Sequence, residues 1–98
     1  MSRHVLKIDG RWFDRLVDGS KTAEVRKHDR DYQIGDRLVF ARDQWDQFGP
    51  PRGYDVIEAT VSHILPASVF PDALQPGFSV LSLVDLSDVR KVREGEMP

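Results

Sequence analysis

The chain of 98 residues contains no cysteine, which excludes a disulfide framework, a thiolate metal site and a thiol nucleophile. Long hydrophobic runs are missing as well. No stretch approaches the ~18 apolar residues of a membrane-spanning helix, and Met-Ser-Arg-His-Val-Leu-Lys at the start lacks the apolar run of a signal peptide. The expectation is a soluble, cytoplasmic protein with no membrane partner. Charge of one sign is scarce: 14 basic and 16 acidic residues leave −2, which excludes a molecule-wide basic field for gathering nucleic acid. There is no Walker loop, no G-x-G-x-x-G, no H-E-x-x-H and no EF-hand loop. His4, His28 and His63 fall on separate elements without metal-ligand spacing, so no metal and no cofactor is expected.

What remains is one domain's worth of sequence with room for a modest core. Arg3 to Ile8 sets His4, Leu6 and Ile8 against Arg3, Val5 and Lys7, the period of two of a strand. His4, among aliphatics, reads as a satisfied, partly buried residue. Asp9 can cap a following helix, in which Trp12, Phe13, Leu16 and Val17 recur at helical spacing and are expected in the core. Asp18-Gly19 ends it. Thr22 to Lys27 alternates again, Ala23 and Val25 against Thr22, Glu24 and Arg26, and predicts a half-buried strand with a small apolar face.

After that strand, residues 28–33 are polar enough for an exposed loop, and Gly35-Asp36 makes a tight turn. Leu38 and Phe40 mark the next strand. Residues 42–53 hold two prolines and two glycines and read as a long loop, with Trp45, Phe48 and Tyr54 in or beside it. Asp55 to Leu65 is the longest expected strand, with Ile57, Ala59, Val61, His63 and Leu65 on one face and Glu58 solvated on the other. Residues 66–76 form a proline-rich loop or short helical turn, and Phe78 to Val84 the last strand. The tail, 86–98, is charged, thin in apolar residues and expected to fray.

Chemistry gathers in Gly19-Ser-Lys-Thr-Ala-Glu-Val-Arg-Lys-His-Asp-Arg30, where an amine, a carboxylate and a guanidinium share one short ribbon. Such a ribbon can bind a polar ligand or form a salt-bridged surface. Gly19-x-Lys21-x-x-Glu24-x-Arg26, after a short helix and before Gly35-Asp36, resembles the signature of ASCH domains, small β-barrels of the PUA-like superfamily. His4-x-Leu6-Lys7-Ile8, Arg26-Lys27-x-Asp29-Arg30-Asp31 and the closing Phe78-Ser-Val-Leu-Ser-Leu83 extend the likeness over residues 3–85, toward an uncharacterised ASCH-like branch. It implies an α+β, mainly β fold: a small barrel of about five strands with one helix packed across it.

The resemblance also implies a cleft between helix and barrel with a role in RNA binding, with Lys21, Glu24 and Arg26 as the matching residues. Lys21 and Arg26 suit phosphate, and Glu24 suits an exocyclic base amine. Lys7, Lys27 and Arg30 add positive charge, and Trp45 and Tyr54 are rings on which unpaired bases can stack. The alternative is a small hydrolase of a modified nucleoside or RNA. ASCH-like amidohydrolases pair the signature lysine with a threonine three residues on; that position here is Glu24. A hydrolase would therefore use Glu24 as general base, with Lys21 and Arg26 as electrostatic stabilisers. A third reading makes Glu24 and Arg26 part of a buried ionic network.

Overall fold

A computed structural model describes residues 1–27, 30–43, 53–93 and 95–98. The fold is α+β and mainly β: β1 (Arg3–Asp9), α1 (Gly10–Asp18), β2 (Ala23–Lys27), β3 (Arg37–Asp43), β4 (Gly53–Pro66), β5 (Phe78–Val84) and β6 (Arg90–Arg93). The strands run in the order β1-β3-β4-β5-β2, with β6 on β4, and curl into a half-barrel. The β1–β3 pair is parallel and every other pair antiparallel. The path ends on β1 and β2, which do not pair as strands, so the barrel keeps a seam between them.

β4 organises the sheet. Its residues 56–60 pair with β3 along one edge, while β6 and then β5 share the other edge. A bulge between Val61 and His63 shifts its alternation by one residue. Ile64 therefore packs against the core and His63 turns outward, where an unbroken period of two would have placed His63 and Leu65 inside.

The main core lies on the inner face: Leu6 and Ile8, Leu38 and Phe40, Ile57, Ala59 and Val61, and Leu81 and Leu83, covered by Phe13 and Leu16 of α1. The helix begins at Asp9, whose side chain accepts from Arg11 N–H, and ends at Gly19 with φ 83°. A Cβ at Gly19 would meet nothing within 4 Å, so the left-handed backbone alone requires glycine there.

Several sequence expectations are corrected. Only Phe13 and Leu16 of the four apolar helix residues are buried, and Trp12 and Val17 are each 50% exposed. At 100° per residue Phe13 and Leu16 lie at the centre of the apolar arc, while Trp12 and Val17 lie at its two margins and reach solvent. Residues 30–33 are not wholly a solvent loop, because Tyr32 is buried with its ring edge-on to His4 at 4.9 Å. Glu58 is no lone solvated carboxylate; it stands among Arg3, Arg37 and Arg90. Finally, the tail supplies β6. Val92 joins Val39, Ala41 and Val56 in a second cluster on the outer face, with Tyr54 packed against it.

Candidate nucleotide-binding cleft

β2 turns the expected way round inside out. Its register with β5 places Glu24 opposite Leu81 and Arg26 opposite Ser79, on the inner face, while Val25 lies opposite Val80 and is 52% exposed. A carboxylate enters the interior only with partners. Glu24, 8% exposed, has two: Oε1 lies 2.9 Å from Lys21 Nζ, and Oε2 accepts from Arg26 Nε at 2.9 Å. Lys21 also donates to the Ala23 carbonyl, and its own N–H is tied to the Arg15 carbonyl at the helix end.

Arg26 reaches further. Its Nη2 donates to the Lys7 carbonyl at 2.7 Å, so one guanidinium spans the seam between β2 and β1. The three ribbon residues thus form a half-buried ion network and also line an open recess. Lys7, Ile8, Asp9, Trp12, Lys21, Glu24, Val25, Arg26, Lys27 and Phe78 enclose about 570 Å³. Among the described residues, four cationic and two anionic side chains line it, a net of two positive charges in a protein of net −2. Arg26 Nη1 and one ammonium N–H of Lys21 have no acceptor among the described residues.

Trp12 is the residue that sequence reasoning misplaced. It borders this cleft and a neighbouring recess of about 510 Å³ that also takes in Arg15, Ser20, Lys21, Thr22 and Ala23. The Arg11 guanidinium lies 5.5 Å from its ring centroid. The usable signal was the place of Trp12 at the margin of the helical apolar arc, 100° from Phe13 on the wheel and on the side away from Val17.

The other expected site residues divide. Lys7 and Lys27 reach the cleft. Arg30 is exposed in the turn after β2 and does not line it. Tyr54 lies on the far side of β1, where it lines a notch of about 120 Å³ with Val5, Lys7, Ala41 and Arg42. Trp45 lies outside the described residues, with Phe48. Among the described residues, no group of three or more metal-ligating side chains converges, and no helix is long and apolar enough to cross a membrane.

A second buried carboxylate went unnoticed in the sequence. Asp36, 0% exposed, accepts from Ser2 N–H at 2.8 Å, from Gln33 N–H at 2.9 Å and from His4 Nε2 at 2.8 Å. Burial pushes its carboxyl up, but the bonds from Ser2, His4 and Gln33 together outweigh that and hold it down to about 2. His4 is thereby accounted for as a satisfied structural residue.

Comparison with known proteins locates the chain by family. A segment of 36 residues is 44% identical to the uncharacterized 12.9 kDa protein in the GpA 3' region of Escherichia phage P2, spanning 37% of this chain and 33% of that protein. The match thus covers about a third of that relative's length. Residues 3–83 match the model of the family described as Domain of unknown function (DUF3850), and the chain belongs to that family.

Proposed function

We propose that the seam cleft binds RNA or a nucleotide, in single-stranded or unpaired form. The observation that carries this reading is a net-positive recess of about 570 Å³ with a half-exposed tryptophan on its wall. Cations whose donors are not all taken up among the described residues suit phosphate, and an accessible indole suits a base face. The resemblance to ASCH domains of the PUA-like superfamily supports the same ligand class. Glu24 positions Lys21 and Arg26 rather than reading a base, because both its oxygens already hold cations. That same engagement leaves the hydrolase alternative, with Glu24 activating a water, without a favouring observation.

The test is anisotropy of a labelled single-stranded RNA titrated with the protein at several salt concentrations. Affinity is expected to fall as salt rises. Arg26→Ala should weaken it by about 10- to 100-fold, the usual worth of a charged hydrogen bond. Lys91→Ala removes the same unit charge from an exposed residue of β6, paired with Asp55, and should change affinity little. Binding indifferent to salt and to Arg26→Ala would refute the proposal.

A further inference from the structure

The outer face of β1 carries a second concentration of positive charge, four residues from Lys7. The parallel register sets Arg3 beside Arg37, β3 pairs with β4 at Arg37 and Thr60, and β6 brings Arg90 alongside Val56. These three arginines, from three different strands, converge on Glu58 at 3.6, 3.7 and 3.6 Å. One carboxylate answers three guanidiniums, and no other acidic side chain among the described residues lies in ion-pair distance of them. Arg37 is fixed by bonds from Nη1 to Thr60 Oγ1 at 2.9 Å and to the Asp85 carbonyl at 2.8 Å. The Arg3 and Arg90 guanidiniums donate no hydrogen bond to another described residue, and both side chains are nearly half exposed. Holding like charges together is unfavourable unless an anion offsets them, and Glu58 offsets only one of three.

The stretch between this cluster and the cleft is continuous. Arg3, Val5 and Lys7 share one face of β1, and at ~3.3 Å per residue the two ends lie ~13 Å apart along the strand. Val5, Lys7 and Tyr54 line the notch between them, and Lys7 also belongs to the cleft. Cations at both ends of an edge strand with a ring between them match a chain of phosphates and bases better than a single nucleotide.

Resting on the reading of the seam cleft as a nucleotide site, we infer that Arg3, Arg37 and Arg90 form a second phosphate contact for the same ligand. The ligand class is then a single-stranded oligonucleotide that runs along the outer face of β1, with Glu58 holding the guanidiniums together when it is absent. Small barrel domains accommodate roughly 4–16 nucleotides in this manner.

The experiment compares CMP with a mixed-sequence single-stranded RNA of about eight nucleotides, on the wild type and on Arg90→Ala, Arg3→Ala, Arg26→Ala and Lys91→Ala. Arg90→Ala should weaken the oligonucleotide about 3- to 10-fold and flatten its salt dependence by about 0.7 in the logarithmic slope, the share of one phosphate on a single strand. CMP affinity should stay at the wild-type value. Arg3→Ala, on β1, should repeat the result independently of any effect on β6, and Lys91→Ala should not. Arg26→Ala should weaken both ligands. If Arg90→Ala and Arg3→Ala leave oligonucleotide affinity and slope unchanged while Arg26→Ala still weakens binding, the second contact is overturned and the cleft stands. If Arg26→Ala changes neither ligand, the cleft reading itself has failed.

Discussion

Two carboxylates are buried among the described residues, and they lead opposite lives. Asp36 is held by two backbone N–H groups and a histidine, in a turn that is itself pinned to β4 by Gly35 N–H to the Val61 carbonyl and Val61 N–H to the Asp36 carbonyl. No recess described above is lined by it. Glu24 is held by an ammonium and a guanidinium that open onto a cleft. Burial of a charge therefore does not by itself mark a functional site. What distinguishes the two is the identity of the partners and the space those partners face. Backbone N–H groups and an imidazole satisfy the charge on Asp36 away from any recess, whereas the cations paired with Glu24 carry further donors toward the cleft.

Substitution of Asp36 has the largest expected effect. Asp36→Ala strips the acceptor from Ser2 N–H, Gln33 N–H and His4 at once and should cost about 3 kcal/mol or more. For a domain of this size that lowers the melting temperature by roughly 12 °C or more, read by circular dichroism. Ligand affinity below the transition should not change. The pH dependence has a definite sign. With a folded pKa of about 2 against 3.8, the native state binds fewer protons than the unfolded chain between those values. The contribution is complete above pH ~4 and is lost as pH falls toward ~2. Asp36→Asn, lacking the titration, should converge with the wild type in stability across that window. Parallel curves would show that Asp36 is not the acid-sensitive anchor.

Trp12 sharpens the comparison from the other side. Its ring is half exposed and borders two recesses, so Trp12→Ala should leave thermal stability within about 1 kcal/mol of the wild type, since little of it is packed. If a base stacks on it, affinity should fall by about 1–3 kcal/mol, or roughly 5- to 150-fold. A large stability loss with affinity intact would return Trp12 to the packing role that helical spacing suggested.

Much of the frame was legible because local signals sufficed. The Asp9 cap, the Gly19 stop, the Gly35-Asp36 turn and the alternation in β1 and β5 each depend on neighbours in sequence. What escaped depends on distant partners. The facing of β2 is decided by its register with β5, where the paired residues lie 51 to 59 positions apart along the chain, and by cations that let Glu24 enter the interior. The His4–Asp36 pair spans 32 positions, and nothing local to either residue announces it. The bulge after Val61 inverts the pattern in mid-strand, and β6 has a single buried residue, Val92, too little to read as a strand. Of the site, the Lys21–Glu24–Arg26 set and an ionic pairing within it were legible as readings of the ribbon, but its indole wall was not.

The smallest expected effect comes from Glu24→Gln, and it tests the ground of the comparison. The amide keeps the size and one acceptor oxygen while removing the charge, so Lys21 and Arg26 lose ionic pairing in a setting where each is only partly exposed. Breaking one side of a buried pair leaves uncompensated charge, which is costly in the deep interior. Here both cations open onto the cleft and water can take up part of the loss, so destabilisation should be about 1 kcal/mol, a few degrees in melting temperature. For ligand binding, two consequences oppose each other. The cleft becomes more positive, which favours phosphate, while Lys21 and Arg26 lose the fixed carboxylate that aims them. Affinity should therefore move by less than about 5-fold in either direction, with a steeper salt dependence as the signature of the added net charge. A collapse of affinity by 100-fold or more, with the melting temperature unchanged, would mean that Glu24 touches the ligand directly rather than positioning Lys21 and Arg26.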